Sequence, residues 1–263
     1  MKIATFNVNS IKARLANLTA WLKEADPDIV CLQELKCVDD AFPRSDIEEL
    51  GYNIAVHGQK TYNGVAILSK LPLEDVSPGL PGGNGDEQAR YLEAVVSAGD
   101  GVLRVASIYL PNGNPIDTEK FEFKLHWMDR LIDHAHRLLS YEEPLVLAGD
   151  YNVIPTADDV HDPKAWENDA LFRPETRAKF RELLNLGLTD AFRACHTEAH
   201  RYTFWDYQAG AWAKDNGIRI DHLLLSPQAT DLLKACDIDR NVRGREKPSD
   251  HVPVWVELDI DRG

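Results

Sequence analysis

The chain has 263 residues, with 29 Lys and Arg against 43 Asp and Glu, a formal net charge of −14. Hydrophobic residues at 44% and charged residues at 27% fall in the globular range, which excludes a collagenous or wholly disordered chain. No stretch reaches the roughly 20 apolar residues that span a bilayer, no secretory apolar region follows Met1, and Cys31, Cys37, Cys195 and Cys236 form neither a CxxC pair nor a zinc spacing. The expectation is a soluble, cytoplasmic protein with reduced thiols.

In chain order, Lys2–Asn9 reads as a strand. Ile11, Leu15, Leu18 and Leu22, spaced by 4, 3 and 4, predict an amphipathic helix ending near Asp26-Pro27. Strands are expected at 28–33, 64–69, 92–97 and 103–110, while Ser77-Pro78-Gly79 through Asn84-Gly85 reads as a surface loop. A second helix opens at Thr118 as N-cap, with Phe121, Leu125, Met128, Ile132, Ala135 and Leu139 on one face. After a strand at 145–148 comes a helix at 174–186 that stops at Gly187, a favourable residue for the turn past a helix end, and then strands at 218–225 and 254–258. No repeat or long linker interrupts the chain, so one domain over residues 1–263 is expected. The pattern predicts a layered α/β or α+β sandwich, with two packed sheets and helices outside.

Polar clusters terminate several of the apolar strands: Asn7-Val8-Asn9, Gln33-Glu34, Tyr109 with Asn112, Asp150-Tyr151-Asn152, Asp221-His222 and Asp250-His251. Each carboxylate alone is as well explained by turn or cap hydrogen bonds. Jointly they form a hard-oxygen set suited to Mg²⁺ or Mn²⁺ rather than zinc. Phosphodiester hydrolysis needs a cation at the phosphate, a base for water and donors for the developing charge. Glu34 can be an anionic ligand, Asp150 the base, and His251 paired with Asp221 a donor to phosphate. Asn7 and Asn152 can position ligands without adding charge, and Tyr109 can donate its phenolic proton. Net acidity counts against a polyanionic partner, yet the run Arg240–Lys247 is locally basic and a bound cation can dominate a pocket.

The elements Ile3–Asn9, Leu32–Lys36, Tyr62–Ala66, Tyr109–Gly113, Gly149–Asn152, Arg219–Asp221 and Lys247–Trp255, in this order, resemble the exonuclease III-like apurinic/apyrimidinic endonucleases of the endonuclease/exonuclease/phosphatase superfamily. The resemblance implies a DNase I-like four-layer α/β sandwich, two mixed β-sheets flanked by helices, with an approximate internal duplication. It implies that Glu34 is the principal Mg²⁺ ligand, with Asn7 and Asp250 near the metal. It further implies that Asp150 activates water oriented by Asn152, that Asp221 and His251 face the phosphate, and that Tyr109 touches it. It places Phe204, Trp212, Ile218 and Ile220 at an apolar abasic-sugar pocket that excludes an intact nucleotide by size, with Trp212 able to wedge into the duplex. Trp205 is expected in the core. Lys60, Tyr62, Arg90, Asn112, Arg243, Arg245 and Lys247 become DNA-side candidates. The remaining histidines are assigned structural or surface places.

The implied activity is metal-dependent incision 5′ to abasic sites in double-stranded DNA, leaving a 3′-hydroxyl, with 3′-phosphodiesterase or phosphatase and 3′→5′ exonuclease action. The implied partner is duplex DNA with abasic sites or blocked 3′ ends, met at the nucleoid by a monomer without membrane contact. Two departures stand out: Asn9 replaces the Asp of many relatives, which weakens a second metal position, and Asn114-Pro115 lacks the basic residue some members carry there. The alternatives are a phosphoesterase for small or lipid phosphates, and a DNA-binding scaffold without catalysis.

Overall fold

The computed structural model describes residues 1–83, 85–99 and 101–261. Its strands are β1 (Lys2–Asn7), β2 (Ile29–Gln33), β3 (Asn53–His57), β4 (Val65–Ser69), β5 (Glu74–Pro78), β6 (Tyr91–Ala98), β7 (Gly101–Tyr109), β8 (Leu145–Asp150), β9 (Thr189–Asp190), β10 (Asp221–Leu225), β11 (Leu233–Ile238) and β12 (Val254–Leu258). Among the described residues they form two six-stranded sheets, ordered β11-β12-β1-β2-β4-β3 and β5-β6-β7-β8-β10-β9. Each sheet holds one parallel pair, β1 with β2 and β7 with β8, and its other pairs are antiparallel. Parallel neighbours need a crossover, supplied by the helix Ile11–Ala25 in one sheet and Glu119–Leu139 in the other. These two strand–helix–strand units are the internal repetition that the resemblance implies.

Strand periodicity decides which residues fall between the sheets. Leu103 and Val105 of β7, and Val146 and Ala148 of β8, join Ile3, Leu32 and Val254 in the central core. Their neighbours Ala106, Ile108, Leu145 and Leu147 face the Glu119–Leu139 helix through Trp127, Met128 and Leu131. Asp150 continues the inward series two residues beyond Ala148, so it emerges between the sheets at their end. Near that end the interface turns polar: Ser107 Oγ donates to Leu32 O at 2.9 Å, and Gln33 Nε2 to Ser107 Oγ at 3.0 Å. These bonds tie the sheets together behind the polar cluster.

The buried face of the Glu119–Leu139 helix is rotated from the predicted stripe. Lys124, Trp127, Met128, Leu131, Ile132, His134, Ala135 and Leu138 are buried, whereas Leu125 and Leu139 are half-buried. The helix packs against both β7–β8 and the Pro174–Asn185 helix, whose Phe180 and Leu183 are buried. The expected 77–85 loop is corrected at its start, because Ser77 and Pro78 pair with Glu93 and Leu92 in β5. A proline is tolerated there because β5 is an edge strand. Asn84 of that segment lies outside the described residues. No helix among the described residues is long and apolar enough to cross a membrane.

Candidate active site

Register assembles the site. On β8, Asp150 pairs with Tyr109 of β7 on one side and Asp221 of β10 on the other, setting three functional side chains abreast at one sheet end. On the facing sheet Asn7 of β1 pairs with Gln33 of β2, and Glu34 follows directly. Glu34 has φ 53° and Lys36 φ 55°, left-handed conformations that cost on the order of 1 kcal/mol for residues with a Cβ. Main-chain bonds from Ser10 to Glu34 O (2.8 Å) and from Lys36 to Asn63 O (2.9 Å) hold that loop.

Two carboxylates directly opposite each other repel, and the structure resolves the Asp150/Asp221 pair with an imidazole. His251 Nδ1 stands 2.9 Å from Asp221 Oδ2, and its Nε2 stands 3.7 Å from Asp150 Oδ2. Burial disfavours the charged ring, but Asp221 and Asp150 outweigh it and raise the His251 pKa to about 10. The ring is therefore an imidazolium at neutral pH, its Nδ1–H committed to Asp221 and its Nε2–H beyond hydrogen-bonding distance of Asp150. Asp150 is pushed up to about 7, chiefly by burial and further by the charges of Asp221 and Glu34, with His251 and the Asn7 amide opposing.

Asp150 accepts at both oxygens. Asn7 Nδ2 reaches Oδ2 at 2.8 Å and Asn152 N reaches Oδ1 at 3.0 Å, the latter a turn bond of the ordinary strand-end kind. The Asn7 amide also reaches Glu34 Oε1 at 2.9 Å, so one NH₂ group joins the two carboxylates. Burial opposes ionisation of Glu34, yet Lys36, Asn7 and His251 hold its carboxyl below the ordinary range. Ligand atoms of Glu34, Asp150 and His251 lie within 4.8 Å of one another. A protonated imidazole is not a metal ligand, which leaves the two carboxylates. Carboxylate oxygens fit a hard divalent cation.

The remaining predicted residues separate by surroundings. Asp250 accepts from Asn9 Nδ2 at 3.0 Å, and Asn9 Oδ1 accepts from Lys36 Nζ at 2.5 Å. A neutral amide thus bridges an anion and a cation where an aspartate would add charge. Asn152 Nδ2 donates to Leu110 O at 2.9 Å, and Asn112 Nδ2 lies 3.4 Å from Asn152 Oδ1. Tyr109 stays a phenol, since burial and the charges of Glu34 and Asp150 drive its pKa well above 10. Arg90 sits 4.9 Å over its ring.

Phe204, half-buried, meets the His251 ring edge-on at 4.9 Å. Ile218 and Ile220 are buried beside it with Ile154, Val160 and Phe172, behind the surface rather than on it. Trp205 is in the core, as expected, and Trp212 packs on it at 4.9 Å under the Arg240 guanidinium. Arg243 is buried and donates to Trp205 O at 3.1 Å, and Arg245 pairs with Glu24. Of the basic residues proposed for DNA, Lys60 and Lys247 are exposed, as is Tyr62.

Sequence reasoning gave no role to two well-placed residues. Lys36, whose Nζ lies 3.0 Å from Glu34 Oε2, was visible only as a cation two positions after an acid. Arg219 is 1% exposed and donates to Asp159 at 2.7 Å and Asp190 at 2.9 Å. An arginine beginning an apolar strand was the available signal. Arg219 Nη1 also lies 3.1 Å from His222 Nδ1, and His222 Nε2 lies 2.9 Å from Val153 O. A neutral ring with its proton on Nε2 satisfies both contacts.

Burial and the Arg219 charge lower the His222 pKa from 6.5 to about 4. The folded pKa is depressed, so the neutral ring's contribution is complete above the unfolded pKa and is lost as pH falls from 6.5 to about 4. The loss is about 3 kcal/mol on the scale of 1.36 kcal/mol per unit. Urea unfolding is expected to show a smaller acid loss for His222→Gln than for wild type; equal losses would contradict the argument.

The profile of the Endonuclease/Exonuclease/phosphatase family matches residues 4–251, from β1 to His251. The chain belongs to that family. It is 34% identical to exodeoxyribonuclease III of Haemophilus influenzae, over 98% of this chain and all of that protein. Two solved structures share the family fold. An AP endonuclease from Archaeoglobus fulgidus is 39% identical with TM-score 0.93, covering 98% of this chain and 99% of that one. A Neisseria 3′ phosphatase bound to a product DNA hairpin is 40% identical with TM-score 0.95, over the same shares. The endonuclease/exonuclease/phosphatase frame and its hydrolytic nuclease activity are thus common ground for this chain and these relatives.

Proposed function

We propose that this nuclease hydrolyses the phosphodiester 5′ to an abasic site in duplex DNA, leaving a 3′-hydroxyl, and also clears blocked 3′ ends and digests 3′→5′. The observation that carries the reading is the Asp150 carboxylate set between the Asn7–Glu34 pair and an Asp221-held imidazolium. The likeness to the AP endonuclease and to the DNA-bound 3′ phosphatase supports the substrate class.

Asp150 takes the proton from the attacking water, for which a pKa brought near neutrality by burial suits a base. Asn152, fixed by Leu110 O, orients that water. The Nε2–H of His251 and the Tyr109 hydroxyl donate to phosphate oxygens as charge develops. Glu34, with Asn7 beside it, would hold a divalent cation, Mg²⁺ or Mn²⁺, which would supply positive charge against the phosphate. Asp250 stays outside this set, tuning Asn9. Phe204 and Trp212 border the sugar, with Ile218 and Ile220 backing it, while Arg90, Asn112, Lys60, Tyr62 and Lys247 meet the duplex. In this reading Arg243 and Arg245 shape that surface rather than touch phosphate, and the protein works as a cytoplasmic monomer.

Purified protein incubated with a duplex carrying one stable abasic analogue is expected to nick 5′ to the lesion with Mg²⁺ and not with EDTA. Faster hydrolysis of a soluble phosphoester would favour a small-molecule phosphoesterase. Lesion binding without nicking would indicate a scaffold.

A further inference from the structure

The buried face of the Glu119–Leu139 helix carries a lysine in its apolar stripe. Lys124 is 0% exposed, and its Nζ lies 3.0 Å from Asn112 O and 2.6 Å from Asn152 O. Those carbonyls belong to the two loops that leave β7 and β8. The β7–β8 ladder runs to Tyr109 and Asp150, and Leu110 N still bonds to Asp150 O at 2.9 Å. Further on, two acceptors converge with no main-chain donor between them among the described residues. An ammonium with three N–H groups can join both.

The chain is shaped to admit this side chain. Gly113, between the loops, has φ +90°, and a Cβ there would stand 2.6 Å from Lys124 Cδ and 3.2 Å from its Cβ. An apolar side chain would fill the same space without the cost of burying a cation, but it would leave the buried Asn152 carbonyl without a donor. Burial draws the Lys124 pKa down to about 7, with the charges of Asp150 and Asp169 opposing. A lysine held at that cost, aimed at the two loops that bear Asn112, Asp150 and Asn152, acts on those loops.

We propose that Lys124 is a positioning residue of the hydrolytic site: its ammonium clamps the loop after β7 to the turn after β8 and so fixes the Asn112 and Asn152 amides relative to Asp150. Asn152, left-handed at φ 47°, links through its N–H to Asp150 Oδ1 and through its amide to Leu110 O, so loosening its carbonyl disturbs both contacts. The proposal rests on the reading of Asp150 as the base.

The test compares Lys124→Met and Lys124→Arg with wild type, using the full chain and the abasic-analogue duplex. For Lys124→Met, kcat is expected to fall on the order of 10²-fold, the effect of a misplacement of about 1 Å. KM should change far less than kcat, because of the duplex-facing residues only Asn112 touches the clamp. Thermal stability should fall, because the buried Asn152 carbonyl loses its donor, so kcat is read well below the melting temperature of the variant. The side-chain amide NMR resonances of Asn152 should shift in Lys124→Met and return toward wild type in Lys124→Arg, along with part of kcat.

A folded Lys124→Met with kcat within about threefold of wild type, or with unmoved Asn152 amide resonances, would overturn the role. If that variant does not fold, wild-type protein decides: couplings across hydrogen bonds from Lys124 Nζ to the Asn112 and Asn152 carbonyl carbons are expected, and their absence overturns the clamp. Failure of wild type to nick the duplex would instead sink the reading of the site. Wild-type nicking with an unimpaired Lys124→Met would sink only the clamp.

Discussion

Asp150→Asn is expected to lower kcat by about 10³ to 10⁴-fold, the upper range for removal of a general base, while DNA affinity holds or rises. The carboxylate is the group that accepts a proton, and its loss also removes negative charge facing the phosphate. Geometry adds a second effect. Asp150 Oδ2 now accepts from Asn7 Nδ2, and a carboxamide NH₂ in its place would set donor against donor. Asn7 could turn its oxygen inward only by giving up its bonds to Glu34 Oε1 and from Asn9 N. A loss of about 1 kcal/mol in stability should accompany the loss of turnover, as for one neutral hydrogen bond. Single-turnover cleavage and DNA binding in EDTA separate the two effects. Hydrolysis within tenfold of wild type would remove Asp150 from the base role.

Glu34→Gln is expected to weaken Mn²⁺ binding by at least about 10²-fold, more than the 10- to 100-fold typical of losing an outer-shell partner. Glu34 is held ionised by Lys36, Asn7 and His251 despite its burial, so it offers a full negative charge where the neutral amide offers none. Its second consequence is a repulsion relieved: burial and the charges of Asp221 and Glu34 together raise the Asp150 pKa, so the apo variant should carry a lower one. Titration with Mn²⁺ by electron paramagnetic resonance reads the first effect without requiring turnover. Unchanged affinity would place the cation elsewhere. Nicking by Glu34→Gln should recover in part as metal concentration rises, which distinguishes a ligand from a base, since no amount of metal restores Asp150→Asn.

Both predictions depend on groups whose chemical natures are set by neighbours from distant parts of the chain. His251 is a cation because Asp221 and Asp150 flank it, and Tyr109 is a phenol because Glu34 and Asp150 face it. The proposed divalent metal and duplex substrate, with the fixed imidazolium, bring positive charge or demand it. The formal charge of −14 therefore says little about the site, whose local electrostatics are built from a few buried residues.

By itself the sequence determined the strands that are largely apolar, β1, β2, β4, β6, β7, β8, β10 and β12, and the two crossover helices, because hydrophobic period marks buried elements. It also determined that polar residues end those strands and that their order resembles one family. β3, β5, β9 and β11 escaped it. β5 is exposed throughout, β9 has two residues, and β3 and β11 are half-exposed edge strands, so none carries a clear burial pattern. Only the tertiary structure decided that Asp150 lies between Tyr109 and Asp221, since strand register is a relation between segments far apart in the chain. It likewise decided that Arg243 turns inward to a carbonyl while Lys247 faces solvent, and that Lys124 breaks the helix stripe to reach two loops. A linear pattern records which residues are polar; the partner of each is chosen by packing.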